Sequence, residues 1–347
     1  MRLARRFAGI RRSLIAALVA AGLLGAMPAG RFGVEMPLAG DDGGRGIAAT
    51  AAIRLALGSD RILVRDGANG GFQNPHRDEG SEGGADRAPR SIVAGFAADR
   101  TIAAAVGGLR RTVGDADAAA AAARGLPIVV LSRWSRGTLG GSAFCLCVSP
   151  PRLAEFARAG ARAQFGSRLL LVLVGDAATL PARWPGRFAG LAHVSVRDAA
   201  AAAAARRTAA GADAVLVLAD ERPPALWRSS QFRQRFDTDY LRRLGHRDFE
   251  IVLNGTPPGD VLFVREVSPN GAALRAFVQR FHAAAGFVPG EEAMRAYAAA
   301  EILRRAGATR TSVRRSLARD RFDTVAGPVA FDADGYREPD TLALTPP

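Results

Sequence analysis

The chain has 347 residues, 48% of them hydrophobic, with two cysteines and a formal charge of +14. That length leaves room for two domains of ordinary size, each with a real core. The charge invites a nucleic-acid reading, but all 47 basic residues are arginine and five of them (Arg2, Arg5, Arg6, Arg11 and Arg12) lie in an N-terminal leader. The others are scattered over polar helix faces, so a solvated basic surface is expected and no nucleic-acid partner.

Residues 1–29 read as a secretory signal. MRLARRFAGIRR is a basic start, SLIAALVAAGLLGAM an apolar stretch, and small residues follow. The apolar run falls short of the ~20 residues that span a bilayer. A periplasmic location is therefore expected, with an uncleaved anchor as the alternative.

From there one unit recurs: an apolar β-type run, a Gly-, Asp- or Ser-rich turn, then a helix. Strands are expected at Phe32–Met36, Arg61–Val64, Thr101–Val106, Pro127–Leu131, Ala143–Val148, Leu169–Val174, Ala192–Val196, Ala214–Leu218, Phe249–Leu253 and Val261–Val264. Continuous runs such as LLLVLV and AVLVLA fit parallel strands covered on both faces. The alternation predicts an α/β fold with doubly wound sheets.

Ile92–Ser132 shows the unit most completely. Strand Thr101–Val106 leads through Gly107 and Gly108 into an Ala-rich helix, Asp115–Arg124. Gly125 stops that helix, and strand Pro127–Leu131 ends on Ser132. In open α/β sheets ligands bind beyond such carboxyl ends. Ser149 is expected to cap a helix with Pro150 in its first turn. Leu153, Phe156, Ala157 and Gly160 form its inner face, and Leu274, Phe277, Val278 and Phe281 form that of a later helix. Met294, Tyr297 and Ala298 begin a third face, closed by Gly307. A short Ala-rich helix is expected at 198–205, a mobile surface loop at Gly70–Ala88, and strands at Val329–Phe331 and Thr341–Leu344 around the turn Asp332–Gly335.

Catalytic signatures are missing. There is no G-x-S-x-G, P-loop or H-E-x-x-H, and His76, His193, His246 and His282 lack metal-ligand spacing. Gly44 and Gly46 fit only the loosest dinucleotide pattern, eight residues too far from Met36, and read as a helix start. Asp332 and Asp334 read as a polar turn. Cys145 and Cys147 share one face of a strand and read first as two buried small side chains, with a bond across a short, strained loop as the alternative that an oxidising compartment permits. No enzyme activity, metal or cofactor is expected.

FGVEMPLAGDDGGRGIAATAAIRLAL (Phe32–Leu57), RILVRDGANGG with Asp66, the 92–132 stretch, GFVPGEEAMRAYAAAEILRRAGA with Tyr297, and FDTVAGPVAFDADGYRE (Phe322–Glu338) stand in an order that resembles a known family. It is the type I periplasmic solute-binding proteins of the leucine/isoleucine/valine branch. The resemblance implies two Rossmann-like lobes joined by three crossovers: lobe 1 from 30–135 with 256–326, and lobe 2 from 136–255 with 327–347. It also implies hinge closure on an amino acid or related small carboxylate, and delivery to an inner-membrane ABC permease. A monomer is expected. A regulatory or sensor module of the same fold, acting through protein contacts, is the alternative.

The site residues carried over by that resemblance depart from the family pattern. Arg111 stands where the ligand-binding serine is expected, followed by Thr112. Ser132 is kept in the second loop, with Arg133 next and Trp134 in place of a threonine. Asp220 stands where an aromatic follows a strand of the second lobe. Arg111 offers a planar fork for carboxylate and Trp134 a stacking face, so an anionic or aromatic ligand is expected to fit better than leucine.

Overall fold

A computed structural model describes residues 30–40, 42–67, 92–109, 111–132, 139–174, 193–196, 201, 204, 214–218, 251–255, 261–266, 271–338 and 342–345. The leader, the Gly70–Ala88 loop and most of the 198–205 helix lie outside them. No described helix is long and apolar enough to cross a membrane.

The first sheet contains β1 (Arg31–Met36), β2 (Ile62–Asp66), β3 (Ile102–Gly107), β4 (Ile128–Val130) and β5 (Ala143–Cys145), ordered β2-β1-β3-β4-β5. Every neighbouring pair is parallel. The chain adds β2 on one side of β1 and then crosses to add β3 on the other. The winding therefore reverses at β1 and β3, which is the switch point where ligand crevices form in such sheets.

Alternation within the strands divides the core in two. Phe32, Val34, Met36, Ala104, Val106, Val129 and Leu131 point to one face. There they meet α1 (Gly43–Leu57), α5 (Gly271–Ala285), α6 (Glu291–Ala306) and α7 (Arg310–Leu317). Ile102, Ala105, Ile128 and Val130 point to the other, against α2 (Ile92–Ala98), α3 (Arg111–Ala122) and α4 (Pro150–Phe165). Phe277 and Phe281 of α5 and Tyr297 and Ala298 of α6 are buried as the spacing predicts. Ser149 occupies the cap position of α4, but its hydroxyl makes no capping bond and Pro150 alone supplies the start signal.

The second sheet holds β6 (Leu169–Val174), β7 (His193–Val196), β8 (Ala214–Leu218), β9 (Ile251–Gly255), β10 (Val261–Glu266) and β13 (Leu342–Thr345), ordered β13-β10-β9-β8-β6-β7. β7, β6 and β8 are parallel, but β9, β10 and β13 join antiparallel. The connection between β9 and β10 is too short for a parallel crossover, which needs a dozen residues or more.

Strand membership bears on the expected partition at two places. Ala143–Cys145 is the fifth strand of the first sheet. Val261–Glu266 pairs within the second sheet, so the chain returns to the first only between Glu266 and Gly271. The last crossing follows the hairpin of β11 (Phe322–Thr324) and β12 (Gly327–Val329). Asp332 Oδ1 accepts from the amides of Asp334 (3.0 Å) and Tyr336 (2.8 Å), which makes Asp332–Gly335 the polar turn expected. Beyond it the Arg337 amide donates to the carbonyls of Cys145 and Cys147. Those two cysteines are joined in a disulfide, the alternative reading rather than the first.

Candidate functional site

The carboxyl edge of the first sheet is where the structure gathers its unusual polar groups. Three helices begin there. α1 follows β1, α3 follows β3, and α6 is brought alongside by an ion pair. Arg45 in the first turn of α1 donates through Nε (3.0 Å) and Nη2 (2.6 Å) to Glu292 Oε1 in the first turn of α6. Asp42, just before α1, lies 3.4 Å from the same guanidinium. Leu38, beyond β1, donates its amide to Asp66 Oδ1 at 2.9 Å, which ties this loop to the end of β2. Gly46 lets α1 approach so closely: a Cβ there would stand 1.7 Å from the Pro37 carbonyl oxygen.

At the end of β3 the backbone turns through Gly108 at φ +68°. A Cβ at Gly108 would meet Gly114 Cα at 2.5 Å, so a glycine is required for both space and conformation. The helix begins at Arg111, four residues earlier than the Ala-rich run indicates. The Gly108 amide donates to Glu35 Oε2 at 3.1 Å. Glu35 is 3% exposed and hydrogen-bonds Asp117 of α3, which is 2% exposed. Burial is the main reason Glu35 holds its proton above its ordinary value. The Gly108 amide and the Asp117 bond oppose that shift, and the negative charge of Asp66 adds to it.

At the end of β4, Ser132 is fully buried. A Cβ built on Gly114 would stand 3.0 Å from its Oγ, so the first turn of α3 lies directly against that hydroxyl. Its carbonyl accepts from Arg295 Nη2 of α6 at 3.1 Å. Ser132 is thus held between the helices of the two opposite faces.

Of the residues expected at the site, Ser132 is placed at this edge with its side chain. Arg111 and Thr112 are the first two residues of α3 at the same edge, and only their backbone is described. Arg133, Trp134 and Asp220 lie outside the described residues. Tyr297, the tyrosine of the late helix, packs its ring 4.6 Å from Phe277, and its hydroxyl accepts from Arg280 at 3.1 Å. It serves the contact between α5 and α6. Sequence reasoning missed Glu35, Asp117 and Arg295. Their signal was a charge inside or beside an apolar stretch: FGVEM, DADAAAAA (with two aspartates) and MRAYAAA. Among the described residues, no group of three His, Cys, Asp or Glu side chains is placed to hold a metal ion.

No protein-family model matches the chain, and no curated protein sequence matches it. Solved structures do. The leucine-binding protein LivK of Thermotoga maritima aligns over 91% of this chain and 97% of its own, with a TM-score of 0.59 at 16% identity. The chain has the type I periplasmic binding protein fold. The same fold is matched in LivJ of Streptococcus pneumoniae, solved in complex with isoleucine (TM-score 0.58, 13% identity, 91% of this chain and 99% of that one). A solute-binding protein of R. palustris in complex with 4-hydroxybenzoate also matches (TM-score 0.59, 13% identity, 91% and 92% covered). Type I binding proteins with different solutes thus share this architecture, and the chemistry of the edge must distinguish them.

Proposed function

We propose that the chain is an extracytoplasmic solute receptor of an ABC importer. It binds an amino acid or related small carboxylate between two lobes and passes it to an inner-membrane permease. Residues 1–29 would direct it to the periplasm, where it acts as a monomer. The observation that carries this reading is Ser132: a hydroxyl buried at the end of β4, against the first turn of α3, at the switch-point edge of a sheet in this fold. Backbone N–H groups at a helix start and a serine hydroxyl are what a solute carboxylate needs when it leaves water. Arg111 and Thr112 belong to that first turn and, in this reading, face the solute with Ser132. Arg133, Trp134 and Asp220 complete the pocket. Two neighbours of the same fold hold isoleucine and an aromatic carboxylate, and a stacking Trp134 with a guanidinium favours the second class of solute.

Thermal-shift screening of the mature protein against amino acids, organic acids and aromatic acids tests this. A solute that binds only the folded chain raises Tm by mass action. An aromatic acid is expected to give the largest rise. Calorimetric titration of Arg111→Ala with that acid should show affinity weaker by about 2 kcal/mol, the contribution of a charge-assisted hydrogen bond. No rise with any solute would leave the regulatory module as the better reading.

A further inference from the structure

We infer that Arg295, on α6, is a solute-binding residue whose guanidinium takes the carboxylate of the ligand at the end of β4. This rests on the receptor reading above and adds to it a residue from the opposite face of the sheet. Arg295 is 6% exposed, so its charge is almost wholly removed from water. Its hydrogen bond among the described residues is the one from Nη2 to the Ser132 carbonyl, and its Nε has no partner there. A guanidinium cannot shed its proton to escape this state. An unpaired buried charge costs several kcal/mol unless something compensates it.

Two other arginines of this lobe are treated differently. Arg310 donates to the carbonyls of Phe96, Asp99 and Ile102. Arg45 is paired with Glu292. Glu292 stands three positions before Arg295 on the same helix, and its Oε1 is directed to Arg45 rather than to Arg295. The starts of α1, α3 and α6 add positive potential at this edge, beside the carboxylates of Asp66 and Glu292, which are bonded to the Leu38 amide and to Arg45. A solute carboxylate supplies the missing anion, and its planar oxygens match the guanidinium fork. Ser132 then joins the two halves of the site, its hydroxyl on the side of α3 and its carbonyl on the side of Arg295. Solute reaches the edge when the lobes part, as hinge closure requires.

The test compares the full mature chain with Arg295→Met and Arg295→Lys. The probes are acetate, L-leucine and 4-hydroxybenzoate, with leucinamide and 4-hydroxybenzamide as uncharged controls. The wild-type chain is expected to gain Tm with a carboxylate and not with its amide. Arg295→Met should lose that gain, with affinity weaker by about tenfold or more, while its unliganded Tm equals or exceeds the wild type because an uncompensated charge has gone. Arg295→Lys keeps the charge without the fork. It should fold and bind at intermediate strength even if the methionine variant does not fold. A methionine variant that binds with wild-type affinity, or a lysine variant that does so where methionine fails to fold, overturns this inference alone. So does a methionine variant that folds with a lower unliganded Tm, since Arg295 would then be only a tie to Ser132. A wild-type chain unmoved by every probe overturns both this inference and the receptor reading.

Discussion

Glu35 shows how one side chain couples the interior to pH. It sits on β1 between the apolar Val34 and Met36, but strand alternation turns it to the opposite face, beneath α3. Burial raises its pKa from the ordinary 4.5, so between that value and its folded value the native state binds more protons than the unfolded one. Stability from this group is therefore complete below about pH 4.5 and falls as pH rises through the folded value. Glu35→Gln keeps an acceptor for the Gly108 amide but has no carboxyl to ionise. Thermal melts between pH 4 and 8 should show the variant matching the wild type at the acid end and exceeding it at the alkaline end. A wild-type curve that rises with pH relative to the variant would reverse the assignment. Glu35 was legible only as an oddity, because a charge in an apolar strand does not say which buried acid it will meet.

Elements reveal their limits in their connections. Apolar runs located every described strand except β11 to within a few residues, since a buried strand needs an unbroken apolar stretch. The direction of β10 could have been read from the short link after β9, but composition alone hides it. The start of α3 was misplaced because its first residues, Arg111 to Gly114, lack the alanines that mark the rest. Gly114 stands there for space: a Cβ would press on Val130 and Ser132. Close approach also separates two glycines of α1. Gly46→Ala would drive a Cβ into the Pro37 carbonyl and should lower stability by about 2 kcal/mol, the scale of an overpacked core. Gly44 has nothing within 4 Å of a built Cβ, and Gly44→Ala should leave stability unchanged or slightly raised by helix propensity. Urea titrations of the two variants check this. Equal effects would mean that the helix shifts freely.

For the whole molecule, the order of segments carried the fold further than any single motif, since no family model matches and identity to LivK, LivJ and the R. palustris protein is 13–16%. The candidate site was half legible. Ser132 could be found because a strand must end and its last polar residue is visible. Arg295 could not, because it comes from a helix more than 160 residues later and faces the edge only once that helix has docked. The same separation governs how the first sheet is completed. Phe32, Val34 and Met36 are sealed by Phe277, Phe281, Ile302, Val313, Phe322 and Phe331. A chain ended after residue 270 leaves that face of the sheet wet. It should show no cooperative melt and should bind a dye that recognises exposed apolar surface, whereas a sharp transition would mean that the early strands suffice. Nascent chain leaving the ribosome is in the same position. Until about its final fifth emerges, nothing closes that face of the sheet, and the fold locks only after the last helices arrive.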